Sequence, residues 1–166
     1  MKIIAVLSAL VLAAGIAFTG TAAAQTQGGT TYTSNADGVS DLGPFSWDVT
    51  KRPDGTVVGG ASIETAFVKT TGRVTCAEFD GNRVGFLFTL GSDTKPAVLA
   101  GLSMFITAED RAFNTGDIVD PDKADLVGGS GAAPAAAFIG CKPSLTPFRV
   151  QSGDIANQTR NDDDEG

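Results

Sequence analysis

The segment GRVTCAEFDGNRVGFLFTL, residues 72–90, constrains the fold of this chain more than any other feature. Apolar residues occupy every second position of its second half: Val84, Phe86, Phe88 and Leu90. This is the period of a β-strand with one buried face. Asp80-Gly81 lies between the two halves and has the composition of a hairpin turn. The segment therefore predicts an antiparallel hairpin, with Val74 and Cys76 on one face of its first strand.

Shorter segments elsewhere repeat this pattern. Residues 45–49 alternate between apolar and polar side chains, and Pro53-Asp54-Gly55 is typical of a turn. Glycine, proline, aspartate and asparagine separate the apolar runs, and no long segment has a helical period. The fold class predicted from these features is all-β, a single antiparallel sandwich or barrel of about seven strands with one disulfide.

The first residues predict an export signal. Residues 3–18 are almost continuously apolar, and Ala22 and Ala24 provide the small side chains that a signal peptidase recognises. An uncleaved membrane anchor is the alternative, but a span needs about 20 apolar residues. We therefore expect cleavage after Ala24, a secreted or extracellular protein, and no membrane span in the mature chain.

Composition divides the chain into four parts. Residues 1–24 are the expected signal peptide, and residues 25–41, rich in glycine, threonine and serine, are expected to form a flexible leader. The β domain is predicted over 42–157. Residues 158–166 end in consecutive acidic side chains and are expected to form a disordered tail.

The cysteine content predicts a structural disulfide. Cys76 and Cys141 are the two cysteines of the chain, and both lie in the part expected to be exported. A redox pair is the alternative, but neither cysteine has a CxxC-like neighbourhood that would lower a thiol pKa. We expect the two to be joined.

Composition also excludes several functions. The chain has no histidine, so catalytic sites that depend on imidazole, including the Ser-His-Asp triad, are excluded. Its formal net charge of -7 argues against a nucleic-acid partner, because binding to phosphates needs a basic surface. The partner is otherwise unknown.

The acidic segment 109–125 is the strongest candidate for a metal site. Its oxygen ligands suit a hard cation such as Ca²⁺, and the candidate ligands are Asp117, Asp120, Asp122 and Asp125. The spacing does not fit an EF-hand loop, which has a glycine at its sixth position and a glutamate at its twelfth. A solvated loop with Asx turns is the alternative, and no cofactor other than calcium is expected.

A pair of carboxylates could still support glycoside hydrolysis without histidine. The candidates are Glu64, Glu78, Glu109 and Asp110. Alternation places the single tryptophan, Trp47, in the core instead of in a sugar-binding cleft, so no catalytic residue is assigned. Most phenylalanines are predicted to be core: Phe45, Phe67, Phe79, Phe86, Phe88, Phe105 and Phe148. Phe113, among polar residues, is the candidate exposed contact.

Several motifs occur in an order similar to that of a family of small secreted bacterial proteins of unassigned function. They are FSWDV (45–49), GRVTCAEFDGNRVGF (72–86), FITAED (105–110) followed by NTGDIVDPDKADLV (114–127), GC (140–141) and SGDI (152–155). The resemblance implies an exported β-sandwich-like domain with a bridge between Cys76 and Cys141, and it implies no reaction or ligand. The acidic segment is longer than in that family, and residues 128–139 resemble an insertion.

These observations favour an exported, non-enzymatic β-sandwich module, either extracellular or associated with the cell envelope, with an unknown ligand. A carboxylate-based hydrolase similar to a glycosidase is the first alternative. The second is a secreted enzyme inhibitor that presents the loop 109–125.

Overall fold

A computed structural model of the chain describes residues 29–111 and 123–161. The predicted signal peptide and the acidic end of the predicted tail, residues 162–166, lie outside these described residues. Eight strands make up most of the structure: β1 Thr30–Ser40, β2 Gly43–Lys51, β3 Val57–Glu64, β4 Lys69–Asp80, β5 Arg83–Leu90, β6 Ser103–Glu109, β7 Leu126–Gly129 and β8 Phe148–Asn161. Single 3-10 turns occur at Ala97–Leu99 and Ala135–Ala137.

The strands form a closed antiparallel barrel in which each strand pairs with its neighbours in sequence and β8 pairs with β1. The predicted all-β antiparallel fold with one disulfide is confirmed, with eight strands where about seven were expected. Within 29–111 and 123–161, no helix has both the length and the apolar character needed to cross a bilayer.

The predicted flexible leader is wrong over most of its described length, because β1 occupies Thr30–Ser40. The strand pairs with β2 on one side and β8 on the other, so the backbone ladder compensates for its low apolar content. Its inward side chains are small or polar, and Ser34 is fully buried. At the other end, β8 extends to Asn161 and includes residues 158–161, which were expected to belong to the tail.

The barrel interior is filled with aromatic side chains. Phe45 stacks on Trp47 with ring centroids 5.0 Å apart, and Trp47 contacts Phe86 at 5.4 Å. Phe86 in turn contacts Phe88 at 6.4 Å. The prediction that Trp47 lies in the core is confirmed, since its exposure is 5%. An eight-stranded barrel has an interior of about the size that such side chains fill.

The predicted hairpin is present as β4 and β5, with Gly81 and Asn82 at the turn. The expectation that Val74 and Cys76 share a face is wrong, because the register shifts between them. A β-bulge adds one residue and thereby reverses the faces that follow. Val74 is buried in the core, whereas Cys76 pairs with Leu87, away from the core cluster.

The disulfide fixes the long β7–β8 connection to the outside of the barrel. Cys76 and Cys141 are joined, with Cα atoms 6.1 Å apart and 65 positions between them in sequence. The connection lies so close to β5 that a Cβ atom at Gly85 would collide with the Cys141 carbonyl oxygen. Leu87, which is outside the core cluster, is only 7% exposed, so residues on both faces of β5 are buried.

Successive turns alternate between the two ends of the barrel, as they do in any meander. The β1–β2 and β3–β4 turns lie at one end, here called the open end. The β2–β3 and β4–β5 turns lie at the opposite end, here called the closed end, where Tyr32 and Phe79 stack with centroids 5.4 Å apart.

Candidate functional site

A cavity of about 320 Å³ lies at the open end of the barrel and is here called the cup. Strands β2, β3, β6 and β7 supply its inner wall, and the β1–β2 and β3–β4 turns supply its rim. The large apolar side chains that line it are Leu42, Phe45, Trp47, Ile63, Phe67, Val68, Met104, Ile106, Val127 and Phe148. Its size is at the lower limit of small-molecule sites in proteins.

The cup exists because one side of the barrel mouth carries almost no side chains. The run from Gly128 to Gly131 lines the cavity and contains three glycines and a serine. Gly128 must lack a Cβ atom, which would collide with the carbonyl oxygen of Leu145 in the returning connection. A bulkier sequence in this run would fill the cup or displace the connection.

The inner wall of the cup is largely aromatic, and the indole N–H of Trp47 is already hydrogen-bonded. The indole Nε1 of Trp47 donates a hydrogen bond to Ser34 Oγ at 3.0 Å inside the barrel. Since an indole has no other donor, the ring of Trp47 contributes an apolar surface to the cavity. Phe45, stacked on the same ring, extends this surface toward the mouth.

An exposed aromatic ring stands at the rim. Phe67 is 86% exposed, so its prediction as a core residue is wrong. The hydroxyl oxygen of Thr65 accepts hydrogen bonds from the backbone N–H groups of Phe67 and Val68, at 3.1 and 3.0 Å. These bonds form a tight turn between β3 and β4 that leaves the Phe67 ring in solvent.

Glu64 is the charged residue of the cup lining in the described structure. It ends β3, directly before the rim turn, and its Oε2 pairs with Lys69 Nζ at 2.7 Å. Both side chains are partly exposed, at 49% and 64%. Because Glu64 follows the inward-facing Ile63 in β3 and pairs with Lys69, its carboxylate lies on the outer side of the barrel, and the interior of the cup is apolar.

The acidic residues near the closed end have a different role. Asp125 is buried, with 1% exposure, and its two oxygens accept hydrogen bonds from the backbone N–H groups of Arg111 and Ile155, each at 2.9 Å. Asp110 Oδ2 accepts from the N–H of Asn157 at 2.9 Å. We call these five residues together with Asn82 the polar seam.

The polar seam closes a gap in the barrel wall. Strand β7 is four residues long and pairs with β8 at only two positions, Leu126 with Arg149 and Val127 with Phe148. Ile155 and Asn157 are two positions apart on β8, so their N–H groups point to the same side. The carboxylates of Asp110 and Asp125 take the place of the carbonyl groups that a longer β7 would provide.

The calcium prediction is not tested. Three of its four ligands, Asp117, Asp120 and Asp122, lie outside the described residues, as does the candidate contact Phe113. The fourth, Asp125, has both carboxylate oxygens bonded to backbone N–H groups. In the described parts of the chain, no three acidic or cysteine side chains are grouped so that they could hold a metal ion.

The candidate hydrolase carboxylates have separate partners. Glu64 pairs with Lys69, and Glu78 Oε1 accepts from the N–H of Cys141 at 3.4 Å. Glu109 pairs with Arg111 at 2.8 Å, close to the seam. Of the four candidates, only Glu64 lines the cup. The inhibitor hypothesis concerns the loop 109–125, and most of that loop lies outside the described residues.

Sequence reasoning did not find the cup. Its walls come from four strands and two turns that are far apart in sequence, and only the barrel closure brings them together. One local signal was present: Thr65 precedes Phe67 by two positions, a spacing at which a threonine hydroxyl can cap a turn. Comparisons with protein-family models, curated protein sequences and solved structures found no match for this chain.

Proposed function

We propose that this protein is an exported, non-enzymatic binding module that holds one small apolar molecule in the cup. The observation that carries the proposal is the apolar cavity of about 320 Å³, open at one end of a barrel whose middle is packed with buried aromatic side chains. A preformed apolar cavity gains binding free energy by removing ligand surface from water, at about 25 cal/mol per Å².

The packing of the rest of the barrel interior supports a binding role for the open end. Tyr32 and Phe79 stack at the closed end, and Trp47, Phe86 and Phe88 fill the middle. A ligand that enters at the open end would therefore contact Trp47 and Phe45 and go no deeper.

Two features support export. Residues 3–18 and the small residues before Gln25 match a cleavable signal, and the Cys76–Cys141 disulfide is the kind of bond that forms in oxidising compartments. Expression of the full chain in a bacterial host with a secretory pathway should yield an exported protein that begins at Gln25. Mass spectrometry of the exported and cytoplasmic fractions tests this, and a full-length chain retained in the cytoplasm would overturn it.

Trp47 allows a direct test of binding, because it is the single tryptophan of the chain and lines the cup. N-phenylnaphthylamine is an uncharged probe that fluoresces in apolar surroundings and accepts energy from tryptophan. We expect saturable binding with one site per chain and energy transfer from Trp47 to the probe.

A matched pair of variants locates the site. Phe67→Ser removes an exposed aromatic ring at the rim, and we expect the probe Kd to rise about fivefold, which corresponds to about 1 kcal/mol of lost apolar contact. Leu145→Ser is the control, because Leu145 is 84% exposed but does not line the cup. Equal Kd values for both variants, or no saturable binding by the wild type, would contradict the proposal.

A further inference from the structure

We infer that the cup binds an uncharged hydrocarbon of about two fused rings, with no hydrogen-bonding atom on the part that it buries. The inference rests on the proposed function and adds the chemical class of the ligand to it. It is carried by the hydrogen bonds of the described residues that line the cup, in which every polar side-chain proton is already donated within the protein.

The hydroxyl groups of the cup lining are all turned toward the backbone. Each of the three donates to a carbonyl group within three positions in sequence: Ser40 to Gly43 at 3.3 Å, Thr65 to Val68 at 3.4 Å and Ser130 to Gly131 at 3.0 Å. The same three oxygens accept hydrogen bonds from backbone N–H groups. These hydroxyl groups therefore stabilise the backbone around the mouth and offer no proton to a ligand.

The other polar side chains of the lining offer no proton to the cavity either. The indole N–H of Trp47 is bonded to Ser34 inside the barrel. Glu64 follows the inward-facing Ile63 on β3, and its carboxylate pairs with Lys69 on the outer side of the barrel. Among the described residues that line the cup, no side-chain donor and no inward charge remains to bind a polar group of a ligand.

This lack of donors selects against ligands that would bury an oxygen or nitrogen acceptor. An acceptor atom that enters the cup leaves its hydrogen bonds to water and finds no side-chain donor in their place, which weakens binding about tenfold or more. A carboxylate or a phosphate would lose more, because a buried charge without a partner costs more than a neutral acceptor. A hydrocarbon has no such loss.

The volume of the cup sets the size of the hydrocarbon. An apolar protein cavity of about 150 Å³ binds benzene, and the cup, at about 320 Å³, has about twice that volume. Phe45 and Trp47, stacked with centroids 5.0 Å apart, give it an aromatic wall, and residues 128–131 add a wall almost without side chains. A flat molecule of two fused rings matches both the volume and the aromatic wall.

The size of the ligand is tested with benzene, naphthalene and phenanthrene, each measured by displacement of N-phenylnaphthylamine. We expect the Kd to fall about tenfold from benzene to naphthalene, because the second ring is buried in the cup. The third ring of phenanthrene should lower the Kd by less than about threefold, because it would project from the mouth. Equal gains for the second and the third ring would contradict the two-ring size.

The absence of donors is tested with naphthalene and quinoline, which have the same shape and differ by one acceptor nitrogen. At pH 8, where quinoline is uncharged, we expect naphthalene to bind at least about twentyfold more tightly. Val127 lines the cup and is 5% exposed, so Val127→Thr keeps the side-chain shape and places a hydroxyl in the apolar wall. This variant should reduce the preference for naphthalene about fivefold.

Val98→Thr is the matched control, because Val98 is 80% exposed and does not line the cup, and it should leave the preference unchanged. A Kd for N-phenylnaphthylamine within about threefold of the wild type shows that the cup of Val127→Thr is intact. Equal binding of naphthalene and quinoline, or a preference that is the same in Val127→Thr as in the wild type, would overturn the inference but leave the proposed function in place. Failure of N-phenylnaphthylamine and of all the hydrocarbons to bind would overturn both.

Discussion

The open and closed ends of this barrel differ in the residues they contain and in what those residues do. At the closed end, a strand that is too short leaves backbone N–H groups of β8 without a partner strand, and the carboxylates of Asp110 and Asp125 accept them. At the open end, glycines and a tight turn leave a cavity that no side chain fills. The carboxylates at the closed end thus complete the hydrogen bonding of the barrel wall. The candidate site at the open end is mostly apolar.

This contrast assigns the described residues Asp110 and Asp125 a structural role in the barrel wall. The buried carboxylate of Asp125 has its two oxygens occupied by main-chain donors. The cavity of ligand size at the open end is instead lined mostly by apolar and small residues. Changes at the closed end should therefore alter stability, and changes at the open end should alter binding.

The largest effect on stability is expected from removing the disulfide, which lies on the outside of the barrel and belongs to neither end. Cys76→Ser combined with Cys141→Ser should lower the free energy of unfolding by about 4 kcal/mol, because the unfolded chain is no longer constrained by a loop of 65 residues. Urea unfolding measures this. The probe Kd of the folded double variant should stay within about twofold of the wild type. A double variant as stable as the wild type would contradict the expectation.

The next largest effect is expected at the polar seam. Asp125→Asn replaces one acceptor with an amide donor that faces a buried N–H group, so we expect a loss of about 3 kcal/mol. Asp93→Asn is the matched control: Asp93 is exposed and accepts from Thr71 Oγ1 at 2.8 Å, and its loss should be about 0.5 kcal/mol or less. Similar unfolding free energies for the two variants would show that the seam does not close the barrel.

A smaller effect on stability, together with a clear effect on binding, is expected inside the cup. Met104→Gln keeps a similar side-chain volume but places an amide in the apolar wall. We expect about 1.5 kcal/mol less stability and about a tenfold higher Kd for N-phenylnaphthylamine. If unfolding changes while the probe Kd does not, the probe is bound elsewhere.

The smallest effect is expected at an exposed turn of the closed end. Hydrogen bonds from the Thr56 hydroxyl and N–H groups to Asp54 hold the pKa of that carboxyl below its usual value. Because the pKa is lowered in the folded state, the stabilisation is present above the usual pKa and is lost as the pH falls through the folded value. NMR titration should show a lowered pKa for Asp54 in the wild type and a return toward the usual value in Thr56→Val.

Much of the fold could be predicted from local patterns. Alternation in β2 and β5 identified buried faces, since Phe45, Trp47, Phe86 and Phe88 are all in the core. The disulfide was predicted from the presence of two cysteines in the part of the chain expected to be exported. These features depend on residues that are close in sequence or on a single possible pairing.

The parts that could not be predicted depend on long-range contacts. Strand β1 has inward polar residues such as Ser34, whose hydroxyl becomes favourable only when Trp47 donates to it. The bulge beside Cys76 moves the inward face from Val74 to Ala77 and Phe79, a phase change that the apolar character of Cys76 conceals. The cup required the closure of β8 on β1, and the role of Asp125 required knowing that β7 begins only at Leu126.

The measurement that most directly tests the contrast between the two ends is a set of amide proton–nitrogen correlation spectra recorded while N-phenylnaphthylamine is added. The account predicts that the shifted resonances belong to the cup, with Gly43, Phe67 and Gly131 among the largest changes. The amides of Arg111, Ile155 and Asn157 in the polar seam should stay in place. Shifts centred on the seam, or spread over the whole barrel without saturation, would contradict the claim that the open end is the binding site.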